Sequence, residues 1–361
     1  MRADKPIVIA GGGTGGHVYP GLALAHELRR RRPARPLEWI GARGGLEERL
    51  VPREGLPLTA LPMSGLARMG AARRIVAVAQ AAWATTRLAA RFGSRRPSLI
   101  VGVGGFASGP AVLAGALARV PTLILEQNAV PGGTNRFLSR VASATAASFA
   151  ECATGLSGRV VVTGNPVRDE VRAIAERPAG PLRAVLGFGG SRGAHGLNDA
   201  WCAALPLLAD LPLHFVLQTG EADLERVREA AQRAGADAEV HAFLFDLPTR
   251  LAAADLVVAR AGATTVAELT AAGRASILVP FPFAAHDHQR ANARALANRG
   301  AALVVDQAEL GGEKLAALVR GLALDPARLD EMSRAARRLG RPDAARHVAD
   351  LADELAGGEA A

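Results

Sequence analysis

The sequence is short of several things that would settle its class early. It has two cysteines, Cys152 and Cys202. That is too few for a disulfide framework, so nothing calls for an oxidising compartment. Tyrosine occurs once, as Tyr19, and aromatics make up 4% of 361 residues. Basic faces interleaved with aromatics are therefore missing, and no nucleic-acid partner is expected. No apolar run reaches the length of a membrane span. No signal peptide is read before the first strand, so the default expectation is a soluble, cytoplasmic chain. Aspartates never occur as a D-x-D pair, so the commonest metal motif of sugar-nucleotide enzymes is absent. Lysine stands only at Lys5 and Lys314, and arginine carries the net charge of +9. With so much alanine this reads partly as a compositional habit, and it supports an anionic partner only modestly.

What is present is an alternation of short apolar runs and helical stretches, the pattern of parallel sheets. The chain is organised around residues 7–28. Ile7-Val8-Ile9-Ala10 has the length of a buried parallel strand. Gly11, Gly12, Gly13, Gly15 and Gly16, broken only by Thr14, form a turn. His17 follows, then Pro20, suited to a first helical turn, and the run Gly21 to Leu28. Strand, glycine turn and helix bring backbone N–H groups up to an anion. Gly11, Gly13 and Gly16 also fit G-x-G-x-x-G. The acid that would hold a nicotinamide ribose is missing, because the second strand ends in Gly41-Ala42-Arg43.

Leu66 to Arg91 is the longest helical candidate of the first half. Strands at Leu99 to Val103 and Thr122 to Leu125 end in a second glycine turn, Gly104-Gly105, and in Glu126-Gln127-Asn128. Pro178, Gly180 and Pro181 mark a break, after which Leu182 to Phe188 and Gly189-Gly190-Ser191-Arg192-Gly193 echo residues 7–28. Two Rossmann-like parallel-sheet domains facing across a cleft are expected. They are 1–164 and 165–340, with a C-terminal helix, 341–361, available to pack back on the first.

Each chemical constellation has a plain structural alternative. Thr265-x-x-Glu268 has capping-box spacing, yet a carboxylate beside a helix N-terminus also suits ribose hydroxyls. His286-Asp287-His288 invites a metal, but two histidines two apart with no third ligand do not make a site, and none is expected. Gly189-x-Ser191-x-Gly193 fits the letters of a nucleophile elbow, but no acid and histidine of obvious quality follow. A lone histidine is often structural. His17, among glycines at a strand's C-terminal end, is the candidate base.

Together the blocks GGGTGGHVYPGLALA (11–25), VGGFASGP (103–110), EQNAVPGGTNRFLSR (126–140), GNPVR (164–168), GGSRGAHGLND (189–199), RAGATTVAEL (260–269) and HDHQRANA (286–293) resemble the MurG family of peptidoglycan N-acetylglucosaminyltransferases. They occur in family order over nearly the whole chain. The resemblance implies a GT-B fold, with acceptor on the first domain and donor on the second. It implies inverting transfer of N-acetylglucosamine from UDP-N-acetylglucosamine to the 4-hydroxyl of undecaprenyl-diphospho-N-acetylmuramyl-pentapeptide (lipid I to lipid II), without metal or other cofactor. Thr14, Gly15, Gly16 and Asn128 fall where the family places sugar and phosphate contacts. Arg168, Ser191 and Leu244 match uridine and phosphate contacts. Ala263, Thr264, Thr265, Val266, Ala267 and Glu268 match the pyrophosphate and ribose segment, and Gln289 the sugar-reading glutamine. Phe106 and His288 depart from the residues the family often carries there. Another GT-B enzyme acting on a lipid or natural product stays open as an alternative, as does a non-catalytic nucleotide-sugar sensor.

A peripheral position at the cytoplasmic face of the cell membrane is expected. Ile75, Val76, Val78, Ala79, Ala82 and Trp83 supply apolar surface at helical spacing, and Arg68, Arg73 and Arg74 supply charge for an anionic membrane surface. A core-packed helix with a solvated basic end is the alternative.

Overall fold

The structure is a computed structural model that describes residues 5–63, 71–190, 193–284 and 287–357, with the side chains of 71–74 outside that description. The chain divides into two compact units, Met1–Arg168 with Asp343–Ala361, and Asp169–Pro342.

In the first unit the chain runs β1 (Ile7–Gly11), α1 (Gly15–Arg31), β2 (Leu37–Ala42), α2 (Glu47–Leu50), β3 (Leu58–Leu61) and α3 (Ala71–Ser94). It continues through β4 (Leu99–Gly104), α4 (Ser108–Leu117), β5 (Thr122–Glu126), α5 (Gly133–Leu138), β6 (Ala144–Ala147) and β7 (Val160–Val162). The seven strands pair in parallel in the order β3-β2-β1-β4-β5-β6-β7. Successive side chains of a strand point to opposite faces. Ile7 and Ile9 accordingly join one buried cluster with α1, and Val8 and Ala10 join another with α3 and α4. Both faces are covered, so the strands read as apolar runs rather than alternations.

In the second unit α6 (Asp169–Arg172) leads to β8 (Ala184–Phe188), α7 (His195–Ala204), β9 (His214–Gln218), α8 (Leu224–Ala234), β10 (Ala238–His241), α9 (Leu247–Ala253) and β11 (Leu256–Ala259). Then come α10 (Ala263–Ala272), β12 (Ala275–Leu278), α11 (His288–Ala297), β13 (Ala302–Val304), α12 (Gly312–Ala323) and α13 (Pro326–Leu339). The six strands are again all parallel, ordered β10-β9-β8-β11-β12-β13. The last helix, α14 (Ala344–Leu355), belongs to the first unit. Val348, Ala349, Leu351 and Ala352 share a buried cluster with α1 and β1, and Asp353 takes Arg35 at 3.1 Å.

The order of each sheet reverses once, between β1 and β4 and between β8 and β11. At such a switch point the connections leave in opposite directions and open a crevice beyond the strands' carboxyl ends. Both glycine turns of the first unit flank the first reversal. Gly189-Gly190 and Arg260-Ala261-Gly262 flank the second.

Candidate active site

At the first switch point the turns after β1 and β4 touch. The N–H of Gly12 donates to the carbonyl of Gly104 at 3.1 Å. A Cβ added at Gly105 would stand 2.2 Å from the Gly12 carbonyl oxygen, so only glycine permits the approach. Gly104 has φ +94°, and a Cβ there would meet His17 Nδ1 at 2.4 Å. The imidazole therefore lies on a bare backbone shelf, with Nδ1 buried and Nε2 on the ring edge away from Gly104.

The helix begins earlier than the sequence implies. Thr14, in extended conformation, is the N-cap, and its carbonyl accepts from His17 and Val18, each at 3.1 Å. His17 thus sits in the first turn of α1, and Pro20 lies inside the helix rather than opening it. Thr14 and Gly16 are exposed, and Gly15 and His17 half-buried. Two residues on, Tyr19 lies under the guanidinium of Arg168, 4.8 Å from the ring centre.

Beyond β5, Glu126 is buried and organises its own loop. Its Oε1 accepts from the N–H of Asn128 at 2.9 Å and from Asn128 Nδ2 at 3.2 Å. Its Oε2 accepts from the N–H of Gly132 at 3.1 Å and from Asn135 Nδ2 at 2.9 Å. Asn128 is thereby held, half-buried, at the carboxyl end of β5.

At the second switch point α10 starts at Ala263 with Gly262 as N-cap and no side-chain cap. Thr265 is therefore inside the first turn, and no capping box forms, because the N-cap lies three residues before the position that motif requires. Ala263, Thr264, Thr265 and Ala267 are half-buried, while Val266 is buried and Glu268 is 5% exposed. Buried Asn292 pins the approach to this turn, donating through Nδ2 to the carbonyl of Ala261 at 3.1 Å. Buried Arg260 braces the same strand tip, donating to the carbonyls of Val279 and Pro280 at 3.2 and 3.3 Å. The backbone N–H of Phe281 donates to Gln289 Oε1 at 2.9 Å. That bond turns the amide so that its NH2 faces elsewhere.

Leu244 is buried in the β10–α9 connection, between exposed Phe243 and Phe245 in sequence. Ser191 and His286 lie outside the described residues. Among the described residues no three His, Cys, Asp or Glu side chains gather as metal ligands. Next to the Gly190–Gly193 turn, Asp223 takes Asn198 Nδ2 at 2.8 Å, His195 Nδ1 at 3.0 Å and Arg226 at 2.8 Å. Burial alone would raise its pKa, but the hydrogen bonds from Asn198, Arg226 and His195 outweigh it and bring Asp223 down to about 2.

Asn292, Arg260 and Asp223 play no part in the sequence reading. Asn292 and Arg260 lie within blocks that stand out for other residues, and Asp223 lies outside all of them. Their partners, backbone carbonyls for the first two and side chains for Asp223, emerge only when distant segments are paired.

Two parallel three-layer units with glycine turns and helix N-termini at their switch points define a class, the GT-B nucleotide-sugar enzymes. Residues 7–147 match the glycosyltransferase family 28 N-terminal domain and residues 184–352 its C-terminal domain. The chain is 45% identical to the UDP-N-acetylglucosamine--N-acetylmuramyl-(pentapeptide) pyrophosphoryl-undecaprenol N-acetylglucosamine transferase of Myxococcus xanthus, over 97% of this chain and 92% of the relative. It is 44% identical to the protein of the same name from Desulforudis audaxviator, over 97% and 98%. The crystal structure of Acinetobacter baumannii MurG superposes with a TM-score of 0.78 at 33% identity, covering 97% of this chain and 99% of that one. The glycosyltransferase of kitacinnamycin, at 19% identity and a TM-score of 0.71, shares the fold. The chain belongs to the MurG family of family-28 glycosyltransferases.

Proposed function

We propose that the chain transfers N-acetylglucosamine from UDP-N-acetylglucosamine to the 4-hydroxyl of undecaprenyl-diphospho-N-acetylmuramyl-pentapeptide, turning lipid I into lipid II. The relatives are named for this donor sugar and this lipid-linked acceptor. The observation that carries the chemistry to this chain is the seating of His17 on Gly104 at the carboxyl ends of β1 and β4.

His17 is the general base. Histidine is the side chain that ordinarily accepts a proton near neutral pH, and Nε2 is the nitrogen turned away from the shelf. The acceptor oxygen attacks C1 of the sugar from the side opposite UDP. The C1–O bond to the diphosphate breaks, its electron pair leaves with UDP, and the hydroxyl proton passes to Nε2, so the anomeric centre inverts. The charge developing on the diphosphate meets the first-turn N–H groups of α10, Ala263 to Thr265, where the helix dipole favours an anion, while the N–H of Val266 closes the first helical bond onto Gly262 at 2.9 Å. Glu268 takes ribose hydroxyls, and Gln289 reads the sugar through the amide NH2 that its bond to Phe281 leaves outward. Arg168 and Ser191 add diphosphate contacts, Leu244 meets the uracil through its backbone, and Thr14, Gly15, Gly16 and Asn128 contact the sugar and phosphates.

We also place α3 on a membrane surface. No described helix is long and apolar enough to cross a membrane. On α3, Ala77, Ala84, Leu88 and Phe92 are buried, while Ile75 (71% exposed), Val76, Val78 and Trp83 (46% exposed) face outward. That pattern supports both earlier readings of the helix at once: one face packs on the core and the other is left apolar to solvent. Arg87 lies over the Trp83 ring at 5.4 Å. Residues 64–70 lie outside the described residues, and so do the side chains of Arg73 and Arg74, the cations assigned to anionic headgroups.

The test is incubation with labelled UDP-N-acetylglucosamine and a lipid I analogue. A disaccharide-bearing lipid product is expected. UDP binding with no transfer would favour a sensor, and transfer to another acceptor but not to lipid I would favour a different glycosyltransferase.

A further inference from the structure

Glu47 is the first residue of the one-turn helix α2. In the structure its side chain is fully buried, at 0% exposure. Oε2 accepts the N–H of Gly13 at 2.6 Å, and Oε1 accepts the N–H of Ala42 at 2.8 Å. Three glycines make the room. A Cβ added at Gly12, Gly41 or Gly45 would stand 2.1, 2.5 or 2.2 Å from an atom of this side chain. Burying a carboxyl group is costly unless it is hydrogen-bonded, and here both oxygens are.

A glycine turn between strand and helix ordinarily offers its N–H groups to an anion from outside. Here Gly12 gives its N–H to the carbonyl of Gly104 and Gly13 gives its N–H to Glu47. Neither is left for a ligand. The turn so held leads straight into Thr14, whose carbonyl starts α1 by accepting from His17 and Val18.

We propose that Glu47 is a positioning residue, an internal anion that locks the first glycine turn and through it the first turn of α1 and the His17 imidazole. The inference rests on the reading of His17 as the base. Glu47 touches no substrate and acts through the backbone it holds.

The test compares Glu47→Gln with wild type and with Glu48→Gln. Glutamine keeps the volume but sets an NH2 group against the N–H of Gly13 or Ala42. Glu48 only accepts the exposed Gly44 N–H at 2.9 Å, so its variant serves as control. Glu47→Gln is expected to stay folded, to bind UDP and to lose kcat by roughly tenfold or more, as misplaced catalytic groups do, with a smaller rise in donor KM because Thr14, Gly15 and Gly16 follow the same turn. Glu48→Gln should match wild type throughout. In wild type, amide hydrogen exchange should show Gly13 protected like the strand amides of β1, and Glu47→Gln should remove that protection. Several results would overturn the proposal: unchanged kcat in Glu47→Gln, loss of UDP affinity in step with rate, failure of that variant to fold, or a wild-type Gly13 amide exchanging as fast as that of Gly44. A folded wild type that transfers no sugar to a lipid I analogue would sink the functional reading instead, and the exchange measurement would still judge the lock.

Discussion

The imidazole of His17 rests on Gly104, where a Cβ would stand 2.4 Å from Nδ1. Two turns a long way apart in sequence thus make one element, a histidine from the start of α1 and the bare backbone shelf it lies on. Gly104→Ala strains a backbone at φ +94° and pushes the ring off that shelf. It should lower kcat by about 10²-fold, the cost of roughly an ångström of misplacement, while the donor KM stays that of wild type. A donor KM that rises as kcat falls would place the damage at the nucleotide instead.

Glu268 is the second residue whose role is now narrower. With Gly262 as N-cap, its capping function is gone. Glu268→Ala should raise the donor KM by roughly tenfold or more, since hydrogen bonds to a charged group are worth about 1.5–3 kcal/mol. Steady-state kinetics with the acceptor saturated checks it. An unchanged KM would remove Glu268 from the ribose site.

The outward face of α3 gives a separate prediction. Ile75→Glu with Val78→Glu should leave thermal stability and soluble-acceptor turnover unchanged, because both side chains are already exposed. The same variant should abolish sedimentation with anionic vesicles, each apolar side chain that enters the lipid contributing up to about 1.5–3 kcal/mol. Binding equal to wild type at low salt would sever α3 from the membrane.

Asp223 predicts acid behaviour of the second unit. Its folded-state pKa is depressed to about 2 from an ordinary 3.8. The stabilisation it gives is therefore complete above about pH 4 and is lost as pH falls through about 2. Asp223→Asn should be less stable than wild type at neutral pH, and the gap should shrink between about pH 4 and pH 2. Thermal unfolding across that range measures it, and a constant gap would mean that the charge of Asp223 is not what holds Asn198 and Arg226.

Most of the architecture was legible because buried parallel strands leave apolar runs that end in glycine or polar residues, as Leu99–Gly104 and Thr122–Glu126 do. Ala144–Ala147 went unread, since Ala-Thr-Ala-Ala lacks the branched side chains that mark a strand and gains its identity only from pairing with β5 and β7. Pro20 fits a first turn so well that the sequence hides the earlier cap at Thr14. His17, Asn128 and Glu268 could be picked out because the glycine turns, strand ends and helix starts around them are local features. Glu47, Asn292 and Arg260 could not, since each works by reaching backbone from a different part of the chain.

The chemistry proposed for the site turns on His17 taking the acceptor proton. The most direct measurement is kcat of His17→Ala beside its affinity for UDP, with a lipid I analogue as acceptor. kcat should fall by roughly 10²–10⁴-fold while UDP binds as tightly as to wild type. A loss of less than about tenfold, or UDP affinity falling in step with rate, would contradict it.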